Sequence, residues 1–277
     1  MAKKSAKEAA EPQPELDQTL LRINRTLSQI EKSLASTADE AILASRLYTL
    51  GAERNCKIFF ADRVFNIPVH LAEFENNQRR YVLTNALENE TAYRQLEDLE
   101  ILAQGKTILN IGAGMGVSSV ALNYLCNPKK MHLFEPQSCL QEHLQETMER
   151  NDIKDFEIHK TVIGEEGKNH DMGAQNPSNL LKTRFVVRRG GKYVARSIDS
   201  YKFKDVAVIH MEMDTTKMHI LRGAEQTIKE QNPIILSDNT ARDIKEQREF
   251  LEAMDYKYHK IGDRLNIAVF VSPKYLL

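Results

Sequence analysis

Three glycines at alternate positions, Gly112, Gly114 and Gly116, stand between the apolar run Ile108, Leu109, Ile111 and a stretch in which Val117, Val120, Ala121, Leu122 and Leu125 recur at helical spacing. The phrase reads as strand, tight turn and helix. Glycine admits the left-handed backbone of such a turn and lets a ligand come close, while the following helix points its unsatisfied N–H groups at the same place. The chemistry is that of a cofactor cradle, with Asn110, Gly112, Ala113, Gly114 and Gly116 as candidate contacts. The dinucleotide fingerprint G-x-G-x-x-G needs its third glycine or alanine at Val117, or at Ser119 if counted from Gly114, so the spacing disfavours a nicotinamide-dependent oxidoreductase. Glu135, followed by Pro136, ends the next strand about 20 residues on, where open α/β sheets bind ligands and a carboxylate accepts hydrogen bonds from ribose hydroxyls.

A second group of polar residues falls on the strand "DVAVIHMEMD". Alternation puts His210, Glu212 and Asp214 on one face and Ile209, Met211 and Met213 on the other. Charges on a central strand need partners or a ligand, because burying a bare charge is expensive. Asp214 is followed three residues later by Lys217, and the strand "PIILSDN" ends in Asp238-Asn239. Oxygen donors from two neighbouring strand ends suit a hard cation; the competing reading has Asp238-Asn239 capping the next helix and Lys217 in solvent. His210 taken alone reads as a satisfied core residue, and the eight histidines show no H-x-x-x-H or comparable cluster.

The elements that must position these residues alternate from Lys106 onward as strand and helix, the signature of βαβ units and a parallel sheet. "KMHLFEP", "FEIHKTVIG", the two strands above and the closing hairpin "HKIGDRLNIAVFVSP" supply the strands; "QSCLQEHLQETMERN", "HILRGAEQTIKEQN" and "DIKEQREFLEAMDY" supply helices. Residues 165–197 form a polar connection, long for this fold and of the kind used as lid or substrate loop. It carries Lys182, Arg184, Arg188, Arg189, Lys192 and Arg196, either a solvated face or a landing site for an anionic acceptor. Upstream, "KIFFADRVFNIPVHL" predicts a hairpin around Ala61-Asp62-Arg63, and residues 89–105 a helix. Leu16, Leu20, Ile23, Leu27, Ile30 and Leu34 step by four and three, so residues 16–50 read as an N-terminal helical extension. Its seam either drives homo-oligomerisation or packs on its own domain. Residues 1–15 are charged and Ala- and Pro-rich, the composition of a disordered tail, and 51–277 form the main domain.

With 38 Lys+Arg against 39 Asp+Glu over 277 residues, the net charge of −1 gives no basic field for nucleic acid or an anionic membrane. Three cysteines, Cys56, Cys126 and Cys139, form no C-x-x-C, and no apolar run reaches the length of a membrane span or a signal peptide. A cytoplasmic protein without nucleic-acid or membrane partners is expected.

The G-x-G-x-G spacing resembles motif I of class I S-adenosylmethionine methyltransferases. The run from "NIGAGMG" through "FEP", "VIG", "SID" and "IHMEMDTTKMHILRGAEQTI" to "FLEAMDYKYHKIGDRLNIAVFV" is similar to the FkbM family of these enzymes. The resemblance covers roughly residues 55–272 and departs at Asn110, where the family has aspartate, and at Thr215 and Lys217 of the fourth-strand phrase. It implies a Rossmann-like class I methyltransferase fold, a mostly parallel sheet with helices on both faces, S-adenosylmethionine as cofactor, and methyl transfer to a hydroxyl of a sugar, lipid or other small-molecule or glycan acceptor. The D-x-x-K phrase with its later D-N is also similar to metal-dependent O-methyltransferases of the catechol type. That likeness implies Mg²⁺ or Ca²⁺ on Asp214, Asp238 and Asn239, with Lys217 as base. Without a metal, Asp214 or Glu212 takes the base role. A cofactor-binding scaffold that kept the fold and lost the reaction is the alternative that the departures suggest.

Overall fold

The computed structural model describes residues 55–60, 63–68, 103–172, 185–213, 216–238, 244–261 and 267–275. The predicted tail and N-terminal helix, and nearly all of the helix expected over 89–105, lie outside the described residues. In chain order the strands are β1 (Asn55–Phe60), β2 (Arg63–Pro68), β3 (Thr107–Ile111), β4 (Lys130–Phe134), β5 (Phe156–His159), β6 (Asn169–Met172), β7 (Phe185–Val187), β8 (Tyr193–Val194), β9 (Val206–Met211), β10 (Ile234–Asp238), β11 (Lys257–Ile261) and β12 (Ile267–Val271). The helices are α1 (Val117–Cys126), α2 (Ser138–Arg150), α3 (Ile198–Tyr201), α4 (Lys217–Arg222), α5 (Glu225–Gln231) and α6 (Ile244–Glu252).

Strands β1 and β2 form the expected hairpin, with Phe60 opposite Arg63 across a two-residue connection. Seven strands make the main sheet in the order β11-β12-β10-β9-β3-β4-β5. The five from β10 to β5 run parallel, and β12 is inserted antiparallel between β10 and β11. Strands β3 and β9 lie at the centre and are buried at every residue, as parallel strands covered on both faces must be. On one face Leu109, Ile111, Phe134, Ile209 and Met211 pack against Ile220, Leu221 and Ile228 of α4 and α5 and Leu251 of α6. The other face carries Asn110 and its register partner His210 towards α1.

The helix expected over 219–232 is two helices. A Cβ on Gly223 would stand 2.1 Å from the carbonyl oxygen of Gly164, so the chain is pressed against the 162–164 segment where one helix stops and the next begins. Asp199 then caps α5: Oδ1 accepts from the backbone N–H and the hydroxyl of Thr227 at 2.8 and 2.7 Å, and Oδ2 from Gln226 N–H at 3.0 Å. "VIG", "SID" and "LRGA" thus meet in one structural knot.

The 165–197 connection is less loop-like than its composition suggests. It holds a small sheet, β7-β6-β8, and a satellite core of Val162, Phe185 and Ala195 onto which Tyr193 and Met213 pack. Of its basic residues Arg188, Arg189, Lys192 and Arg196 are exposed, the last with its guanidinium 4.5 Å from the Tyr201 ring; Lys182 and Arg184 lie outside the described residues. Among the described residues no helix is long and apolar enough to cross a membrane.

Candidate cofactor site

The three glycines share a left-handed backbone, with φ of 80° at Gly112, 55° at Gly114 and 94° at Gly116, but for different reasons. A Cβ on Gly112 would lie 2.5 Å from the carbonyl oxygen of Glu212 at the exit of β9. On Gly116 it would press at 3.0 Å on Leu144 and Thr147 of α2. On Gly114 it would meet, among the described residues, nothing nearer than the Gly112 carbonyl at 3.9 Å, so of the three this glycine alone leaves room for a side chain beside them. The N–H groups of Gly112 and Ala113 donate to the Phe134 carbonyl at 3.0 and 3.1 Å, and Gly116 N–H to Ala113 at 2.8 Å. Gly116 is the N-cap of α1 and has no side chain with which to cap that end, so the first N–H groups of the helix lie beside Gly114.

Glu135 sits under this turn with only 3% of its surface exposed. Its Oε2 accepts Gly114 N–H at 2.9 Å and its Oε1 accepts Gln137 N–H at 2.8 Å, while its carbonyl receives Gln141 Nε2 at 2.8 Å. The carboxylate therefore shapes the loop and the start of α2, and ligand hydroxyls can use only the lone pairs these amides leave. Burial pushes its pKa up to about 7, against the pull of the two amides. Pro136, half-buried, links Glu135 to Gln137.

Asn110, expected among the cofactor contacts, is held from three sides beneath the glycine turn. Its Nδ2 donates to Ser118 Oγ at 3.1 Å and Ser119 Oγ at 2.8 Å, and its Oδ1 faces His210 Nδ1 at 2.8 Å. With an oxygen opposite, that nitrogen carries the ring proton. Burial, then the nearby charge of Lys217, hold the His210 pKa down to about 3, so the ring is neutral. The side chain of Asn110 is spent on tying β3, β9 and α1 together beneath the loop, and His210 is the core residue its isolation suggested.

Glu212 N–H donates to the Ile111 carbonyl at 3.0 Å, extending the β3–β9 pairing one step and fixing half-buried Glu212 at the edge of the glycine turn. Lys217 opens α4 behind Thr216, whose φ is 73°. It is 1% exposed, which overturns the solvated alternative. Asp214, Thr215, Asn239 and the side chain of Asp238 lie outside the described residues. The backbone register pairs Ser237 with Met211, so Asp238 and Glu212 leave their strands at the same level.

One group escaped sequence reasoning. His132 and His159, which no histidine spacing in the sequence pairs, approach through ring nitrogens 2.9 Å apart, beside Glu157. The two lie 27 positions apart on different strands, and only the β4–β5 register joins them. Burial holds His132 down to about 4 and lowers His159 as well.

A parallel sheet whose last inserted strand is antiparallel, with a glycine turn after the central β3 and an acid closing β4, defines the Rossmann-like fold of class I methyltransferases. No protein-family model matches the chain, and no curated protein does. Among solved structures it is similar to the methyltransferase FkbM from Methylobacillus flagellatus KT, at TM-score 0.47 and 14% identity over 72% of this chain. The match spans 56% of that protein's length. A precorrin-6y C5,15-methyltransferase from Geobacter metallireducens GS-15 follows at TM-score 0.42 and 11% identity, over 64% of this chain and 85% of the other. TYW2 of M. jannaschii, in complex with AdoMet, has TM-score 0.42 and 12% identity over 79% and 85%. These likenesses are of fold, which the strand order establishes by itself.

Proposed function

We propose that the chain is an S-adenosylmethionine-dependent methyltransferase acting on a hydroxyl of a small-molecule or glycan acceptor. The observation that carries this reading is the closure of the Gly112–Gly116 turn by the buried Glu135 carboxylate, beside a glycine whose Cβ position no described residue crowds. The residues fit a nucleoside cofactor: remaining lone pairs of Glu135 for ribose hydroxyls, the N-terminus of α1 with a glycine as its N-cap, and room at Gly114 among the described residues that a side chain would fill. When bound, S-adenosylmethionine supplies a methyl group already activated for transfer.

The protein's part is to hold an acceptor oxygen in line and remove its proton. Glu212, held at the edge of the turn, is the candidate general base among the described residues. Lys217, buried at the start of α4 near the same strand end, would favour the anionic form of an acceptor oxygen by its charge. Asp214 belongs to this proposal through its place two residues beyond Glu212.

The test is calorimetry with S-adenosylhomocysteine followed by a methyl-transfer screen against hydroxyl acceptors. Binding that is lost in both Gly114→Val and Glu135→Ala supports the site; unchanged affinity in both removes it. A second reading, cofactor binding without catalysis, is favoured by Asn110, whose side chain is consumed by Ser118, Ser119 and His210. Tight binding with no methyl transfer to any acceptor would select it.

A further inference from the structure

The edge of the main sheet holds a second constellation, independent of the glycine turn. Parallel pairing sets His132 opposite Glu157 and Phe134 opposite His159, so alternation brings His132, Glu157 and His159 to one face of β4 and β5. His132 Nδ1 lies 2.9 Å from His159 Nε2 and 3.7 Å from Glu157 Oε2, and His159 Nε2 lies 3.9 Å from Glu157 Oε1. Aromatic rings wall in the imidazoles: Phe203 stands 4.2 Å from His132, Phe134 stacks on His159 at 4.6 Å, and Tyr201 meets His159 edge-on at 5.2 Å, all between centroids. Glu157 closes the open side, about half exposed.

We propose that His132, His159 and Glu157 form a binding site for a divalent transition-metal cation of zinc type, with a fourth position open to water or an added ligand. Tetrahedral zinc with bonds of about 2.0–2.1 Å spaces its donor atoms about 3.3–3.4 Å apart. The three separations here straddle that spacing, so a cation requires only small side-chain movements. Two imidazole nitrogens and one carboxylate are the donor set of zinc and its transition-metal neighbours rather than of the oxygen-seeking Mg²⁺ or Ca²⁺. The donors come from two hydrogen-bonded strands, whose geometry is set before any ion arrives. Lys130 is the competitor, with Nζ 3.9 Å from Glu157 Oε2 and donating to the Phe156 carbonyl at 3.4 Å. An exposed pair of this kind is weak enough for a dication to displace. The ion would clamp edge strand β5 to β4 just before Glu135, whose N–H already donates to the His159 carbonyl at 3.1 Å.

The untagged full chain, stripped with chelator, is titrated with Zn²⁺ by calorimetry and with Co²⁺ by visible absorption. One equivalent per chain and the intense d–d bands of tetrahedral Co²⁺ are expected. His132→Gln and His159→Gln should each weaken binding by at least about tenfold, the loss that removing even an outer partner of a ligand can bring. Glu157→Gln, at an exposed position, covers the case in which a histidine variant fails to fold, and should weaken binding as well. Lys130→Met should tighten it, and His259→Gln should leave it unchanged. Absence of stoichiometric uptake, or equal uptake by wild type and all three ligand variants, would overturn the site and leave a plain His–His hydrogen bond.

Discussion

Glu135 Oε2 accepts the backbone N–H of Gly114 at 2.9 Å across 21 positions of sequence, and so the residue expected to read the ligand also holds the loop that would receive it. Shape and recognition are coupled in one buried carboxyl group, and its ionisation should be visible in both.

For stability the sign follows from the raised pKa. Below about 4.5 the group is protonated in folded and unfolded chains alike; between there and about 7 only the unfolded chain ionises, so stability falls as pH rises through that window. The full effect is on the order of 3 kcal/mol. Glu135→Gln, a neutral mimic of the acid, should flatten this slope in urea unfolding followed at several pH values. Parallel curves for the two proteins would contradict it.

For binding the same group predicts the opposite trend. Ribose hydroxyls donate to the carboxylate form, so affinity for S-adenosylhomocysteine should strengthen as pH rises through about 7 and then level off. Glu135→Ala should lose roughly 1.5–3 kcal/mol of affinity, the range for hydrogen bonds to a charged group. Calorimetry between acid and alkaline pH measures both effects.

Gly112 and Gly114 should separate folding from binding. Gly112→Ala drives a methyl into the Glu212 carbonyl at 2.5 Å and Met213 Cγ at 2.8 Å, and should destabilise the fold by several times the roughly 1–2 kcal/mol of left-handed strain alone. Gly114→Ala meets no described atom nearer than 3.9 Å, should cost only about that strain, and should still weaken cofactor binding. Thermal melts and titration of each variant decide; equal losses of stability would show that Gly114 does not border free space.

Asn110→Ala takes away the acceptor opposite His210 Nδ1 and the donor to both serine hydroxyls. Each buried group left without its partner costs about 1–3 kcal/mol, so the variant should melt well below wild type. Asn110→Asp keeps the acceptor and should fall in between. A wild-type melting temperature in Asn110→Ala would mean that the network adds nothing to stability.

Gly223→Ala should be among the most damaging single-methyl changes, because backbone of Gly164 occupies the space at 2.1 Å and cannot rotate away as a side chain would. Asp199→Ala should cost about 0.5–2 kcal/mol through loss of the α5 cap. Chemical denaturation ranks the two; the reverse order would place the weight of this junction on the cap.

Local pattern alone foretold the alternation of strands and helices, the mostly parallel sheet, the β1–β2 hairpin, the closing pair β11–β12 and the glycine turn with its acid. Periodicity and left-handed glycines are local properties, written residue by residue. It missed the break at Gly223, whose cause is a backbone 59 positions away in sequence, and it could not show the side-chain partners of Asn110, a helix turn and a histidine 100 positions on. It gave Lys217 two possible surroundings, and only the packing of α4 decided for burial. The His132–Glu157–His159 cluster was invisible for the same reason. Each histidine alone resembles an ordinary strand residue, and the strand register that brings them within 2.9 Å is a property of the folded sheet.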